Sequence, residues 1–140
     1  MMNERRFVFD TNVLVSAFLF SQSKPRQALD KSQDIGIILL SDSVFTEAQE
    51  VLSRPKFDRY ITLARRKDFL EILAETAEFI NITEQVNECR DPKDNKYLEL
   101  AVSGKAECII TGDEDLLILH PFRQIDILTV QNFLDKINIC

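Results

Sequence analysis

Short unbroken runs of apolar residues alternate along this chain with longer segments in which apolar residues recur every three or four positions. An unbroken apolar run between polar residues is typical of a strand buried on both faces of a parallel sheet. Such runs predict strands over residues 7–9, 36–40, 107–111 and 125–130, with a short irregular strand region over 80–86. The helical spacing predicts helices over residues 13–20, 25–32, 44–52, 63–79 and 130–137, one that begins at 92 and one that ends at 119.

The alternation of strands and helices indicates a parallel sheet sandwiched by helices. We therefore expect an α/β fold, a three-layer α/β/α sandwich with a central, mostly parallel sheet. A chain of 140 residues that is 45% hydrophobic is most simply one domain with a full core. The sequence predicts a single domain over residues 1–140.

The charge balance argues against a protein that holds nucleic acid through bulk positive charge. The chain has 23 acidic and 17 basic residues and a formal charge of −6. Carboxylates that hold a divalent cation would still present a locally positive face to phosphate. Three cysteines without paired ligand spacing, Cys89, Cys108 and Cys140, indicate reduced thiols. With no signal peptide or membrane span in the pattern, we expect a soluble, cytoplasmic protein.

Two of the predicted strands end in a carboxylate. Asp10 follows the first apolar run, and Asp113 follows the run that ends at Thr111 and Gly112. Ligands of open α/β sheets bind beyond the carboxyl ends of the strands, so both acids are site candidates. Gly112 is expected to allow a tight turn that brings the backbone close to a ligand. The alternative for Asp10 is a structural role as the N-cap of the next helix.

A third acid, Asp94, lies on the buried face of a predicted helix. Pro92 suits the first helical position, which makes Asp91 the N-cap and offers a purely structural explanation for both acids. Asp94 is nevertheless in line with the apolar positions 97, 98 and 101, whereas Asn95, Lys96 and Glu99 are expected to face water. An ionised group that points inward needs a partner, and a metal ion is a reasonable one. Glu47 falls at the edge of the buried face of its own helix and could reach the same site.

A cluster of such acids requires compensation. Two carboxylates about 4 Å apart repel by roughly 4 kcal/mol at an effective dielectric constant near 20, so they persist only if protonated or bridged by cations. Because the cluster contains no histidine or cysteine, Mg²⁺ or Mn²⁺ is favoured over Zn²⁺.

The stretch from residue 54 to 67 is the only strongly basic one. It carries six cations against a single acid, Asp58. Arg65, Arg66 and Lys67 could contact a phosphate backbone, or they could form an ordinary solvated face.

Four segments together make the chain similar to the PIN-domain family, in particular to the VapC-like toxin components of bacterial toxin–antitoxin pairs. Each segment alone is a weak signal, but the four occur in order and at compatible spacings over nearly the whole chain. They are Phe9-Asp10-Thr11-Asn12-Val13-Leu14-Val15-Ser16-Ala17, then Glu47 with Val51-Leu52-Ser53-Arg54-Pro55-Lys56-Phe57, then Cys89-Arg90-Asp91-Pro92-Lys93-Asp94-Asn95-Lys96, and finally Thr111-Gly112-Asp113-Glu114-Asp115-Leu116-Leu117.

The resemblance implies an endoribonuclease that depends on Mg²⁺ or Mn²⁺, with RNA as substrate and a cognate antitoxin as partner. Whether the chain also forms a homodimer is left open by the resemblance. The family's acidic quartet falls on Asp10, Glu47, Asp94 and Asp113, and Asp115 is a further candidate ligand. Its auxiliary polar positions, which would contact substrate, match Thr11, Asn12 and Thr111. Related members often have another acid where this chain has Asn95, a change that its expected outward direction makes tolerable.

Two other functions compete with this interpretation. A PIN-like module could hold metal without turnover and act through protein contacts, since the family includes weak or inactive nucleases. An aspartyl phosphotransferase could also use Asp10 at a strand end, but that chemistry usually needs Asp-x-Asp spacing, and position 12 is Asn.

Overall fold

A computed structural model describes residues 5–139, with side chains described up to residue 138. Within this part of the chain there are five strands, namely β1 (Arg5–Phe9), β2 (Gly36–Leu40), β3 (Glu78–Phe79), β4 (Cys108–Ile110) and β5 (Asp126–Leu128). The helices are α1 (Thr11–Leu19), α2 (Lys24–Ile35), α3 (Asp42–Leu52), α4 (Leu63–Thr76), α5 (Asn95–Gly104), α6 (Glu114–Leu117) and α7 (Val130–Ile139). Two single 3₁₀ turns, Pro55–Phe57 and Pro92–Asp94, follow α3 and precede α5.

The sheet is parallel throughout, in the order β3-β2-β1-β4-β5. The chain winds outward from β1 through β2 to β3, then returns to the other side of β1 to add β4 and β5. The winding direction therefore reverses between β1 and β4. In doubly wound sheets this reversal opens a crevice beyond the carboxyl ends of the two central strands, where ligands bind.

Helices cover both faces of the sheet. Phe7 and Phe9, two positions apart on β1, share one face and meet the ring of Phe133 in α7 edge to face, at centroid distances of 5.4 and 6.4 Å. Val8 alternates to the opposite face, where α5 crosses β1, β2 and β4. All three β1 residues are at most 1% exposed. The predicted three-layer α/β/α sandwich is confirmed.

Side-chain caps fix where several helices begin. The carboxylate of Asp10 and the hydroxyls of Ser23, Ser41 and Thr62 each accept a hydrogen bond from the backbone N–H three residues later. Such caps satisfy N–H groups that have no partner inside the helix.

The segment between residues 63 and 91 differs from the prediction. α4 ends at Thr76, three residues before the predicted end, because Ala77 is extended and the next two residues pair with Leu39 and Leu40 as edge strand β3. Residues 80–86 form no regular strand, although Ile80 N–H still donates to Leu40 O at 2.8 Å. Helical periodicity continued past Thr76 in the sequence, but pairing with the open edge of β2 decided the conformation.

Two of the three cysteines lie in the described part of the chain. Cys89 and Cys108 are free, buried thiols, and Cys140 lies outside the described residues. In the described part of the chain, every helix is too short or too polar to cross a bilayer.

Gly36 provides a test of the sheet register. A Cβ at this position would lie 2.1 Å from Arg5 O, in the strand that pairs with it. Gly36→Ala should lower the free energy of unfolding by about 1–3 kcal/mol, because backbone must move to relieve the clash. Gly112→Ala is the matched control, since its Cβ would meet nothing within 4 Å. Urea unfolding measures both, and equal losses would contradict this register.

Candidate metal centre

Two carboxylates lie at the crevice where the winding of the sheet reverses. Asp10 directly follows β1 and is tied to β4 because its N–H donates to Ile110 O at 3.1 Å. Its Oδ1 accepts from Val13 N–H at 2.8 Å, so Asp10 is both the helix cap and a group at the crevice. Asp113 follows β4, and its Oδ1 accepts from Asp115 N–H at 2.9 Å, which caps α6.

Thr111 joins these two acids. Its hydroxyl donates to Asp10 Oδ2 and accepts from Asp113 N–H, the latter at 3.0 Å. Burial raises the pKa of Asp10, and the hydrogen bonds from Thr111, Val13 and the backbone of Gly112 offset only part of that rise. The negative charge of Asp113 raises it further. Asp10 is therefore held in place by donors but still favours a nearby cation.

Asp94 is the least compensated acid of the centre. It ends the 3₁₀ turn before α5, and its Oδ2 is buried with no hydrogen-bond donor among the residues that the structure describes. Burial raises its pKa to about 7, and the carboxylates of Asp113, Asp91 and Asp10 add to the rise. A buried acceptor without a donor is rare and calls for an ion or a proton.

Asp91 and Asp115 complete an acidic cluster around Asp94. One carboxylate oxygen from each of the three lies within 4.8 Å of the others. An all-carboxylate donor set with an unpaired buried oxygen fits a hard divalent ion such as Mg²⁺ or Mn²⁺. From the sequence, Asp91 was expected only to cap a helix, a role it also fills by accepting from Lys93 N–H at 3.1 Å. Its position three residues before Asp94, one turn apart, was the available signal.

Asp115 already has a cationic partner. The guanidinium of Arg90 donates to its Oδ1 at 2.5 and 2.9 Å. Arg90 is 79% exposed, so solvent screens this pair and it can be displaced at low cost.

Glu47 differs from the other acids because its own neighbours satisfy both oxygens. Oε1 accepts from Thr11 Oγ1 at 2.7 Å and from the hydroxyl of Tyr97, and Oε2 accepts from Lys96 Nζ at 3.0 Å. Burial opposes ionisation of Glu47, but the hydrogen bonds from Tyr97, Thr11 and Lys96 outweigh it and lower its pKa. Glu47 thus joins α3 to α1 and α5.

Tyr97 lies at the centre of this network. Its position in the sequence predicted a core residue and did not predict the role of its hydroxyl. Its hydroxyl also accepts from Thr11 N–H at 3.1 Å and lies 2.9 Å from Thr11 Oγ1. The residue is 3% exposed. A tyrosine on the buried face, one turn after Asp94, was the signal in the sequence.

Comparison with known proteins places the chain in a family. A family model described as PIN domain matches residues 6–115. The chain belongs to the PIN-domain family. This confirms the family indicated by the four sequence segments. The uncharacterized protein MJ1680 of Methanocaldococcus jannaschii is 35% identical over 119 residues, covering 82% of this chain and 75% of that protein.

Two crystal structures share the fold of this PIN domain. The structure of VapBC2 from Rickettsia felis bound to a promoter DNA fragment gives a TM-score of 0.60 at 13% identity. The match covers 89% of this chain and 98% of that chain. PAE2754 from Pyrobaculum aerophilum gives a TM-score of 0.63 at 14% identity, with 98% and 91% covered. At these identities the likeness concerns the fold.

Of three residues expected to face water in this PIN domain, Asn95 is buried, and Lys96 and Glu99 are half-buried and engaged in contacts. Asn95 is 8% exposed and its Oδ1 accepts from Cys89 N–H at 2.9 Å. Glu99 accepts from Val86 N–H at 3.0 Å, and Lys96 binds Glu47. The irregular segment 80–91 lies over this side of α5, and its backbone N–H groups need acceptors that a regular strand would otherwise supply.

The other candidate residues near the acids are divided between core and surface. Thr11 is 2% exposed and serves the Glu47 network. Asn12 is exposed and lines an open cavity of about 390 Å³ with Asp10, Gly112 and Asp113. Gly112 has no positive φ, so its turn does not need the left-handed conformation that favours glycine, and a Cβ there would meet nothing within 4 Å. The close approach of its backbone to a ligand stays a prediction.

The basic stretch does not act as one surface. Arg66 is 3% exposed, and its guanidinium donates to Asp58 Oδ1 and to Ile61 O at 2.8 Å and to Leu52 O at 3.0 Å. It is a structural group that cannot reach an RNA phosphate, contrary to expectation. Arg65 and Lys67 are exposed.

Asp94→Asn tests the metal site through stability. A carboxyl with a folded pKa of about 7, raised from 3.8, binds more protons folded than unfolded, so metal-free stability falls as pH rises from about 4 to 7. The variant removes this loss and should be more stable than wild type at pH 8 without metal. Wild type should gain about 2.7 kcal/mol from Mn²⁺ at a hundredfold excess over Kd, and the variant should lose most of that gain.

Urea unfolding at pH 5 and pH 8, with Mn²⁺ or EDTA, measures these differences. Asp34→Asn, at an exposed position in α2, is the control and should keep the full Mn²⁺ gain. An equal Mn²⁺ gain in Asp94→Asn would show that Asp94 holds no metal.

Tyr97→Phe tests the Glu47 network. The variant keeps the ring but leaves the buried Thr11 N–H without its acceptor, so the free energy of unfolding should fall by about 1–3 kcal/mol. The pKa of Glu47, followed by NMR, should rise as one of its donors is lost. Tyr60→Phe, at a ring that is 70% exposed, should change stability by less than about 0.5 kcal/mol. A Tyr97→Phe protein as stable as wild type would refute the role assigned to this hydroxyl.

Proposed function

We propose that this PIN domain is an endoribonuclease that depends on Mg²⁺ or Mn²⁺. The observation that carries the proposal is the buried, donorless Oδ2 of Asp94 beside the carboxylates of Asp10 and Asp113. The charges of Asp113 and Asp10 act on Asp94 at the sheet edge where doubly wound folds bind ligands, and no cation in the described part of the chain pairs with Asp94. A nuclease that hydrolyses phosphodiesters with hard divalent ions needs such a set.

The residues would divide the work according to their contacts. Asp10, Asp94 and Asp113 would hold the ion, with Asp91 and, once Arg90 is displaced, Asp115 as further ligands. The bound ion would lower the pKa of a water molecule and neutralise charge on the scissile phosphate. Thr111 fixes the orientation of Asp10, and the exposed amide of Asn12 is available to the substrate in the same cavity.

Glu47 has a supporting part in this scheme. Because donors already engage both of its oxygens, it fixes Thr11 and the start of α1 next to Asp10 rather than binding the ion directly. Residues that orient ligands in this way typically change activity by about 10- to 100-fold when replaced.

The proposed biological setting is that of a toxin in the cytoplasm with a cognate antitoxin as protein partner. It is supported by the resemblance of the four sequence segments to VapC-like toxins and by the fold likeness to VapBC2.

A second candidate function is a metal-binding module with little or no turnover. The ion pairs of Glu47 with Lys96 and of Asp115 with Arg90 favour it, because they compensate two of the acids without metal. An aspartyl phosphotransferase is less favoured, because position 12 is Asn and Asp10 therefore lacks a second acid at Asp-x-Asp spacing.

Cleavage of RNA separates these functions. Wild type should cut total cellular RNA with Mn²⁺ or Mg²⁺ and stop in EDTA, and mapping of the new ends would identify the target. Asp10→Asn and Asp113→Asn should each lose at least about 100-fold in rate, and Glu47→Gln about 10- to 100-fold. Asp34→Asn should cleave like wild type. Metal-dependent stabilisation without any cleavage would favour the module instead.

A further inference from the structure

Exposed aromatic side chains cluster at the end of α1 opposite to the acidic centre. Leu19, Phe20, Lys56, Phe57 and Tyr60 line one open cavity of about 600 Å³, here called the aromatic patch. Tyr60 is 70% exposed and Phe20 60%, the largest exposed fractions of any aromatic residue between positions 5 and 138. Exposed rings that do not contribute to the core are typical of a binding surface.

Uncompensated positive charge accompanies these rings. Lys56 Nζ lies 5.1 Å from the centroid of the Phe57 ring, and the Arg59 guanidinium lies 6.0 Å from that of Tyr60. Neither cation has a carboxylate partner in the described part of the chain.

The acids nearest in the sequence are already neutralised by other cations. Asp58 pairs with the buried Arg66 at 2.8 Å, and Glu50 pairs with Arg54 at 2.9 Å. The patch is therefore locally positive on a chain whose formal charge is −6.

The aromatic patch and the acidic centre are joined by one rigid element. Asp10 caps the start of α1 and Phe20 its end, so about 15 Å of helix separates them at 1.5 Å per residue. Asn12 is exposed, and Ser16 and Leu19 on the same side of α1 are half-buried, so this side offers a flexible chain a path between the two ends.

We propose that the aromatic patch binds single-stranded RNA, with bases stacked on Phe20 and Tyr60 and phosphates near Lys56 and Arg59. The proposal rests on the proposed ribonuclease function and assigns the surface that holds substrate outside the cleavage centre. Ring faces alternating with cations are the pattern by which proteins bind unpaired strands without reading sequence. A duplex keeps its bases stacked inside and cannot use the rings.

The test measures binding of a fluorescent 12-nucleotide single-stranded RNA to the full chain in EDTA, which excludes metal-dependent cleavage. Phe20→Ala and Tyr60→Ala should each weaken binding by roughly 5- to 150-fold, the range found for a lost base stack. Lys56→Ala combined with Arg59→Ala should reduce the slope of log affinity against log salt by about 1.4. Binding of the matching 12-base-pair duplex should be weaker than that of the single strand and unaffected by the ring variants.

Matched controls lie elsewhere on the surface. Ile72→Ala, at a side chain 58% exposed in α4, and Lys31→Ala, at an exposed position in α2, should leave affinity and salt slope unchanged. Unchanged affinity in both ring variants would overturn the proposal and assign the patch to a protein partner. Equal binding of duplex and single strand would overturn it as well.

The two proposals can fail separately. Metal-dependent cleavage by wild type, together with undiminished RNA binding in the ring variants, would refute the patch and keep the nuclease. Ring-dependent binding without cleavage in Mn²⁺ would keep the patch and refute the nuclease.

Discussion

Repulsion among carboxylates gathered at one edge of a parallel sheet is the constraint on which this structure depends. β1 and β4 lie side by side where the winding reverses, so the acids that follow them, Asp10 and Asp113, are brought together by the fold itself. The turn before α5 adds Asp94 and Asp91. Each acid needs a hydrogen-bond donor, a proton or a cation, because neighbouring carboxyl groups cannot all be ionised without compensation.

The protein compensates these acids unequally. Glu47 receives three donors from Thr11, Tyr97 and Lys96 and has a lowered pKa, so it is a stable anion in the absence of metal. Asp10 receives donors that hold its position without cancelling the cost of burial. Asp94 Oδ2 receives no hydrogen bond from the described part of the chain. Compensation by hydrogen-bond donors thus decreases from Glu47 through Asp10 to Asp94. A bound cation is therefore expected to stabilise the protein most at Asp94.

The same helix that begins at this acidic centre ends at a surface of opposite character. Around Asp10 the charge is negative until an ion binds, whereas Lys56 and Arg59 beside Tyr60 are positive without one. Asp58 would weaken that positive surface, but the buried guanidinium of Arg66 binds it. The buried Arg66 thus pairs with Asp58, so that Asp58 does not pair with Lys56 or Arg59.

The sequence by itself determined the layered α/β architecture, the family and the acids at the strand ends. The reason is that apolar patterns within short segments predict the strands and helices and their order, and the positions of the strand ends follow from these elements. Only the tertiary structure decided the length of α4 and the burial of Asn95 and Arg66, since each depends on contacts with another segment that apolar periodicity does not predict. The edge of β2 took residues after Thr76 into the sheet, and segment 80–91 covered one side of α5. The distinction between satisfied Glu47 and unsatisfied Asp94 likewise arose from donors that no local pattern places.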